Sequence, residues 1–178
     1  MSNLLMNIRL ACKSDLLALA TLFQQTVLEN APEYYTRIQT EAWASSALNA
    51  EKFRQFILGT NTFVATDDAE VLGFAGVSAE GYVSSVYVRC DRLRQGIGSA
   101  LMQIVLTYAQ DQKINRLYAE ASEFSLGLFQ KFGFRLYDTE VVERQNVTFH
   151  RYLVEKYFEE SRDIGLRSIG KSGGDMPS

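Results

Sequence analysis

Val86-Tyr87-Val88-Arg89-Cys90-Asp91-Arg92-Leu93-Arg94-Gln95-Gly96-Ile97-Gly98-Ser99-Ala100-Leu101 is the stretch whose reading decides the fold. Val86, Tyr87 and Val88 read as the end of a strand, and a polar loop follows. Gly96-Ile97-Gly98 then opens a segment in which Ile97, Leu101, Ile104, Val105 and Tyr108 recur at the spacing of an amphipathic helix. A helix N-terminus exposes unpaired backbone N–H groups at the positive end of its dipole, so it attracts phosphate. Gly96 and Gly98 leave room for a diphosphate to approach the backbone, and Arg92 and Arg94 add positive charge nearby. The P-loop reading fails because no Gly-Lys-Ser/Thr follows. The dinucleotide fingerprint fails because the third glycine is missing and no βαβ unit opens the chain. Gly-x-Gly also serves simply to cap helices, so its neighbours must carry the rest of the reading.

Upstream, residues 7–10 read as a first strand and Ser14 as the N-cap of a helix carrying Leu16, Leu19, Phe23 and Val27. That helix should end near Asn30, ahead of Pro32. Residues 31–37 read as a loop with Tyr34 and Tyr35; helical segments follow at 40–48 and 51–58, stopped by Gly59. Strands at 62–66, 71–78 and 82–88 form a meander turning at Asp67-Asp68. Downstream come a strand at 116–121, a short helix at 124–132 stopped by Gly133, and two strands at 134–142 and 147–155 joined by a Gln145-Asn146 turn.

Composition narrows the function classes. The chain has 178 residues, 47% hydrophobic and 22% charged, which suits one α/β domain with its own core. A net charge of -3 offers no basic field for nucleic acid. Two cysteines, Cys12 and Cys90, suggest no disulfide framework, and the single histidine, His150, argues against a His-rich metal site. No apolar run is long enough to span a bilayer, and residues 1–10 do not read as a secretory signal, so a cytoplasmic protein without membrane partners is expected. From Glu159 onward apolar periodicity is lost, so the expected division is a domain over 1–158 and a flexible tail over 159–178.

The order of parts over residues 7–156 resembles the GNAT acyltransferase superfamily, in particular its small bacterial acetyltransferases. Three segments carry the resemblance: 86–101, similar to that family's acyl-CoA signature; Leu128-Phe129-Gln130-Lys131-Phe132-Gly133-Phe134, similar to its short helix ending in Gly-Phe; and Thr148-Phe149-His150-Arg151-Tyr152-Leu153, similar to a closing strand. The resemblance implies an α/β (α+β) fold with a mixed, mostly antiparallel twisted sheet and helices on both faces. It implies acetyl-CoA as cosubstrate and a small-molecule or protein amine as acceptor. Residues Val86, Tyr87 and Val88 would line the pantetheine arm, with the backbone of Val86 and Val88 pairing to it as an added strand. Amides of Arg94, Gln95, Gly96, Ile97, Gly98 and Ser99 would hold the pyrophosphate. Phe129 would lie near the thioester, and the acetyl group would sit where strands 82–88 and 116–121 splay apart.

Two positions depart from the family pattern. Leu93 stands where a Gln or Arg is usual, three residues before the first glycine, and Arg92 or Arg94 would have to supply the missing contact. Phe129 stands where many relatives carry a tyrosine that protonates the departing thiolate. A thiol of pKa about 8.5 leaves tolerably without an acid.

The acceptor ammonium must lose a proton before it attacks a thioester directly. Glu120 is the first candidate base, because a carboxylate in a strand of Leu117, Tyr118, Ala119 and Ala121 is costly unless paired or used. The competing reading turns it outward or pairs it with Arg116. Tyr137 and Tyr152 are candidate proton donors; among nine tyrosines, packing is the competing role. Glu29 and Glu33 are candidate acceptor contacts or surface charges, and Tyr34, Tyr35 and Trp43 a candidate aromatic wall or core. Cys90 reads as an ordinary loop cysteine and His150 as structural, and no metal site is expected. A homodimer through the last strands is compatible with this pattern. The rival functions are a non-catalytic acyl-CoA-binding or interaction module and an acyltransferase using a longer donor.

Overall fold

Seven strands and five α-helices, set by these periodicities, are found in the computed structural model, which describes residues 5–68 and 70–159. The expected tail over 159–178 lies almost wholly outside the described residues. Strands β1 (Met6–Leu10), β2 (Asn61–Asp67), β3 (Glu70–Val77) and β4 (Val83–Val88) form one antiparallel sheet in that order. Strands β5 (Arg116–Ala121), β6 (Arg135–Arg144) and β7 (Val147–Tyr157) form a second antiparallel sheet, ordered β5-β7-β6.

The two sheets meet at a parallel bridge between Tyr82 and Tyr118, where Tyr118 N–H donates to the Gly81 carbonyl at 3.0 Å. Beyond it β4 and β5 separate. Gly81 makes the junction possible: its φ is +95°, and a Cβ there would lie 2.1 Å from the Arg116 carbonyl oxygen. Tyr82 is therefore a hinge residue between the sheets rather than part of β4 proper.

Helices cover both faces, as the resemblance implies. On one face α1 (Leu16–Asn30), α2 (Arg37–Ala44) and α3 (Ala50–Leu58) pack Leu19, Phe23, Val27, Phe53 and Ile57 against Val64 and Phe74. On the other, α4 (Ile97–Asp111) and α5 (Leu126–Lys131) pack Ile97, Leu101, Val105 and Phe129 against Leu72, Ala75, Leu117 and Val154. Burying each such large side chain contributes about 1.5–3 kcal/mol. No helix among the described residues is long and apolar enough to cross a membrane.

Local departures have local causes. Ser14 does not cap α1: a 3-10 turn, Lys13–Asp15, intervenes, and the Asp15 carboxylate accepts from Cys12 N–H at 2.8 Å and from both terminal nitrogens of Arg9. That fork holds the Asp15 carboxyl far below the usual carboxylate range. The expected helix at 40–48 starts at Arg37 instead, because Thr36 and Gln39 form a capping box, and it tightens to a 3-10 turn over Ser45–Leu48. The Gln145-Asn146 turn has φ of +52° and +60°, the left-handed pair a two-residue hairpin needs.

Candidate active site

Where β4 leaves β5, its outer edge is open. Arg89 N–H donates to the Leu72 carbonyl at 2.8 Å, which fixes the antiparallel alternation along β4. The backbone groups of Val86 and Val88 therefore point away from β3, into the gap. The Val88 carbonyl already accepts from the Thr26 hydroxyl at 2.9 Å, so the Val88 N–H and both Val86 groups remain for a ligand. Around this edge lies a narrow cleft of about 100 Å³, reached by Asn30, Phe124, Ser125 and Phe129.

The N-terminus of α4 lies beside the end of β4, where an added Cβ on Gly98 would be 3.5 Å from Val88. Gly96 caps that helix in the left-handed conformation, φ +83°, and a Cβ added there would meet nothing within 4 Å. The first turn thus faces open space with its N–H groups unpartnered, and an extended arm ending in a diphosphate fits this edge and this helix start. Gly98 differs: its added Cβ would touch Leu128 and Val88 at 3.5 Å, an ordinary contact. Arg94 is exposed beside the loop at φ +60°. Arg92 is not available there, since it faces Asp67 at 3.8 Å and Glu70 at 4.0 Å. Lys131 is: its Nζ donates to Ser99 Oγ at 2.9 Å. The sequence alone gives Lys131 no role, because only the packing of α5 beside α4 brings it to Ser99.

A second, larger cleft of about 660 Å³ opens on the α1–α3 side. Its walls are aromatic: Phe23, Tyr35, Trp43, Phe53, Phe56 and Phe149. The two clefts share Trp43, Ser84, Tyr87, Glu120 and Ser122. Trp43 Nε1 donates to the Tyr87 hydroxyl at 3.2 Å, and Tyr87 stacks between Phe23 and Phe74. Burial pushes the Tyr87 hydroxyl up to about 12.

Glu120 sits at this junction for a reason of register. Leu117, Ala119 and Ala121 bury against α4 and α5, so alternation turns Glu120 to the opposite face. It does not pair with Arg116, whose guanidinium goes to the buried Glu155 at 2.8 Å. Instead Glu120 lies opposite Leu153, one pleat from Arg151, which lies opposite Glu140. Arg151 hydrogen-bonds Glu140 and stands 3.9 Å from Glu120 Oε1, while Glu120 Oε2 is buried without a hydrogen-bond partner. Ser84 Oγ and Arg151 Nε are likewise buried and unpartnered. Burial and the Glu120 carboxylate raise the Tyr82 hydroxyl well above its ordinary value.

The other sequence candidates land elsewhere. Tyr137 is not brought to either cleft: it is 43% exposed on β6, with its ring 5.8 Å from the Arg116 guanidinium. A bulge between Leu136 and Asp138 leaves it unpaired. Tyr152 lies outside both lining sets and donates its hydroxyl to Glu123. That carboxylate holds the Tyr152 hydroxyl above its ordinary value. Glu29, Glu33 and Tyr34 line neither cleft, whereas Tyr35 and Trp43 do, and His150 reaches the larger one. Among the described residues no group of His, Cys, Asp and Glu could hold a metal.

Comparison with known proteins bears on the family and the fold. An acetyltransferase (GNAT) domain model matches residues 27–156. A GCN5-related N-acetyltransferase from Rhodopseudomonas palustris superposes with a TM-score of 0.82 at 23% identity, over 85% of this chain and 95% of that one. The PaiA N-acetyltransferase of Thermoplasma acidophilum, solved in complex with coenzyme A, gives 0.72 at 16% identity, over 89% and 100%. The ribosomal-protein-S18-alanine N-acetyltransferase of Escherichia coli gives 0.68 at 14% identity, over 90% and 98%. A search of curated proteins returns no match. The family match runs from the end of α1 into β7 and takes in nearly all of both clefts, so the chain belongs to the GNAT acetyltransferases, a family that uses acetyl-CoA.

Proposed function

We propose that this chain is an N-acetyltransferase that moves the acetyl group of acetyl-CoA directly to a primary amine, with Glu120 as the proton acceptor. The observation that carries this reading is the position of Glu120, shared by the two clefts, with Oε2 buried, without a hydrogen bond within 3.5 Å, and with the Tyr82 hydroxyl close enough to feel its charge. Acetyl-CoA, when bound, supplies an activated thioester. Val86 and Val88 hold its arm by backbone pairing, the first turn of α4 with Arg94 and Lys131 holds the diphosphate, and Phe129 packs beside the arm. The amine enters from the aromatic cleft. Its nitrogen forms the new N–C bond as the C–S bond breaks, and its surplus proton passes to Glu120 Oε2. Arg151 holds Glu120 from the Oε1 side. Positioning and a proton acceptor together make the amine a nucleophile at neutral pH.

The leaving thiolate receives no tyrosine proton in this reading. Phe129 has no hydroxyl, Tyr137 is remote, and the Tyr152 proton is held by Glu123. A thiolate is a good enough leaving group to depart without an acid. The test is release of free thiol from acetyl-CoA on addition of an amine panel. Amine-dependent release is expected; tight acetyl-CoA binding with no release from any amine would mark a binding module instead.

A further inference from the structure

The acceptor cleft is unevenly charged. Glu120 is the one carboxylate among the described residues that line it, against Lys52, Arg144 and Arg151. Arg151 is already engaged by Glu140 and Glu120. Arg144 and Lys52 have no ion pair among the described residues. Lys52 stands in the first turn of α3, and Arg144 ends β6. The neutral Ser46 and Asn49 complete that end of the lining. Arg144 lies near enough to Tyr82 and Tyr87 to pull both hydroxyls down against the effect of burial.

A cleft with one acid at its junction, aromatic walls and two unengaged cations does not suit a polyamine. A second ammonium would meet Lys52 and Arg144 and find no second carboxylate. An amine whose other end is an anion satisfies both ends: Glu120 faces the nitrogen, the aromatic walls face an apolar body, and Arg144 with Lys52 faces the negative group. The volume of about 660 Å³ suits a small molecule. We propose that the acceptor is a small amine carrying a carboxylate and an apolar body, an amino-acid-like molecule, and that Arg144 and Lys52 are the specificity residues that bind its carboxylate. The proposal rests on the acetyl-transfer reading only for which end carries the amine.

Matched pairs of amines test it: L-phenylalanine against 2-phenylethylamine, and 6-aminohexanoate against hexylamine, with spermidine as the polycation. Thiol release from acetyl-CoA is measured for each. In at least one pair the acid should be used with at least tenfold higher kcat/KM than the plain amine, since arginine binds carboxylates strongly. In the Arg144→Gln, Lys52→Gln double variant that preference should fall below threefold through a rise in KM, with acetyl-CoA affinity by calorimetry held within twofold as proof of folding. Equal use or a preference for the plain amine in both pairs overturns the proposal while leaving acetyl transfer standing. So does use of spermidine alone, or a preference that survives in the folded double variant. No release from any amine by protein that binds acetyl-CoA overturns the acetyl-transfer reading and this proposal together.

Discussion

The two clefts that we assign to donor and acceptor share five residues, yet they are built by different means. The donor side is mainly backbone: the free edge of β4, the left-handed Gly96 and the first turn of α4, all within residues 83–99. The acceptor side is mainly side chain, gathered from α1, α2, α3, β5, β6 and β7. A backbone site tolerates exchange of most side chains and fails when a Cβ enters it. A side-chain site keeps its shape only while each distant contributor keeps its chemistry. The first arrangement suits a cosubstrate that never changes, the second an acceptor that varies between relatives on one scaffold.

The largest effect that could break this contrast belongs to the donor side. Gly96→Val should weaken acetyl-CoA binding by about 100-fold or more, because it places a branched side chain in left-handed backbone and in the space before the helix N-terminus. Gly98→Ala is its control, since the added Cβ makes only 3.5 Å contacts. Calorimetry on both, with circular dichroism to confirm folding, reads the outcome. Unchanged affinity in Gly96→Val would remove the loop from the donor site.

A smaller effect sharpens the acceptor side. Arg151→Met keeps an apolar stem in place of the arginine's and removes the guanidinium that stands 3.9 Å from Glu120. Acetyl-CoA affinity should stay within twofold while kcat falls about tenfold, the expected scale for a misplaced catalytic group. A loss confined to acetyl-CoA binding would place Arg151 on the wrong side of the contrast.

The same contrast explains what was legible in the sequence. The segment we assign to the donor is contiguous, so Gly96-Ile97-Gly98 could be picked out as a helix start open to phosphate, while Val86 entered only through the resemblance to the acyl-CoA signature. All seven strands and the helices that cover them were readable for the same reason, with errors at caps such as Ser14, where a carboxylate competes for the backbone. Glu120 stood out as a charge in an apolar strand. Its partner did not: Arg151, itself bonded to Glu140, comes beside it only through the β5-β7-β6 register, which no local pattern encodes. The fate of Tyr137 turned on a bulge and that of Tyr152 on Glu123, both tertiary facts. The unengaged Arg144 became visible only once it could be seen which cations have carboxylate partners.

The central claim is that Glu120 accepts the amine's proton at the meeting of the two clefts. Glu120→Gln preserves shape and polarity and removes only the ability to take that proton. The most direct measurement is the maximal rate of this variant across pH, with the acceptor that the amine panel identifies and with acetyl-CoA affinity measured in parallel. Affinity should stay near wild type, kcat should drop about 100-fold at neutral pH, and the deficit should shrink as pH rises and free amine becomes abundant. Equal rates for Glu120→Gln and wild type at neutral pH would contradict the account.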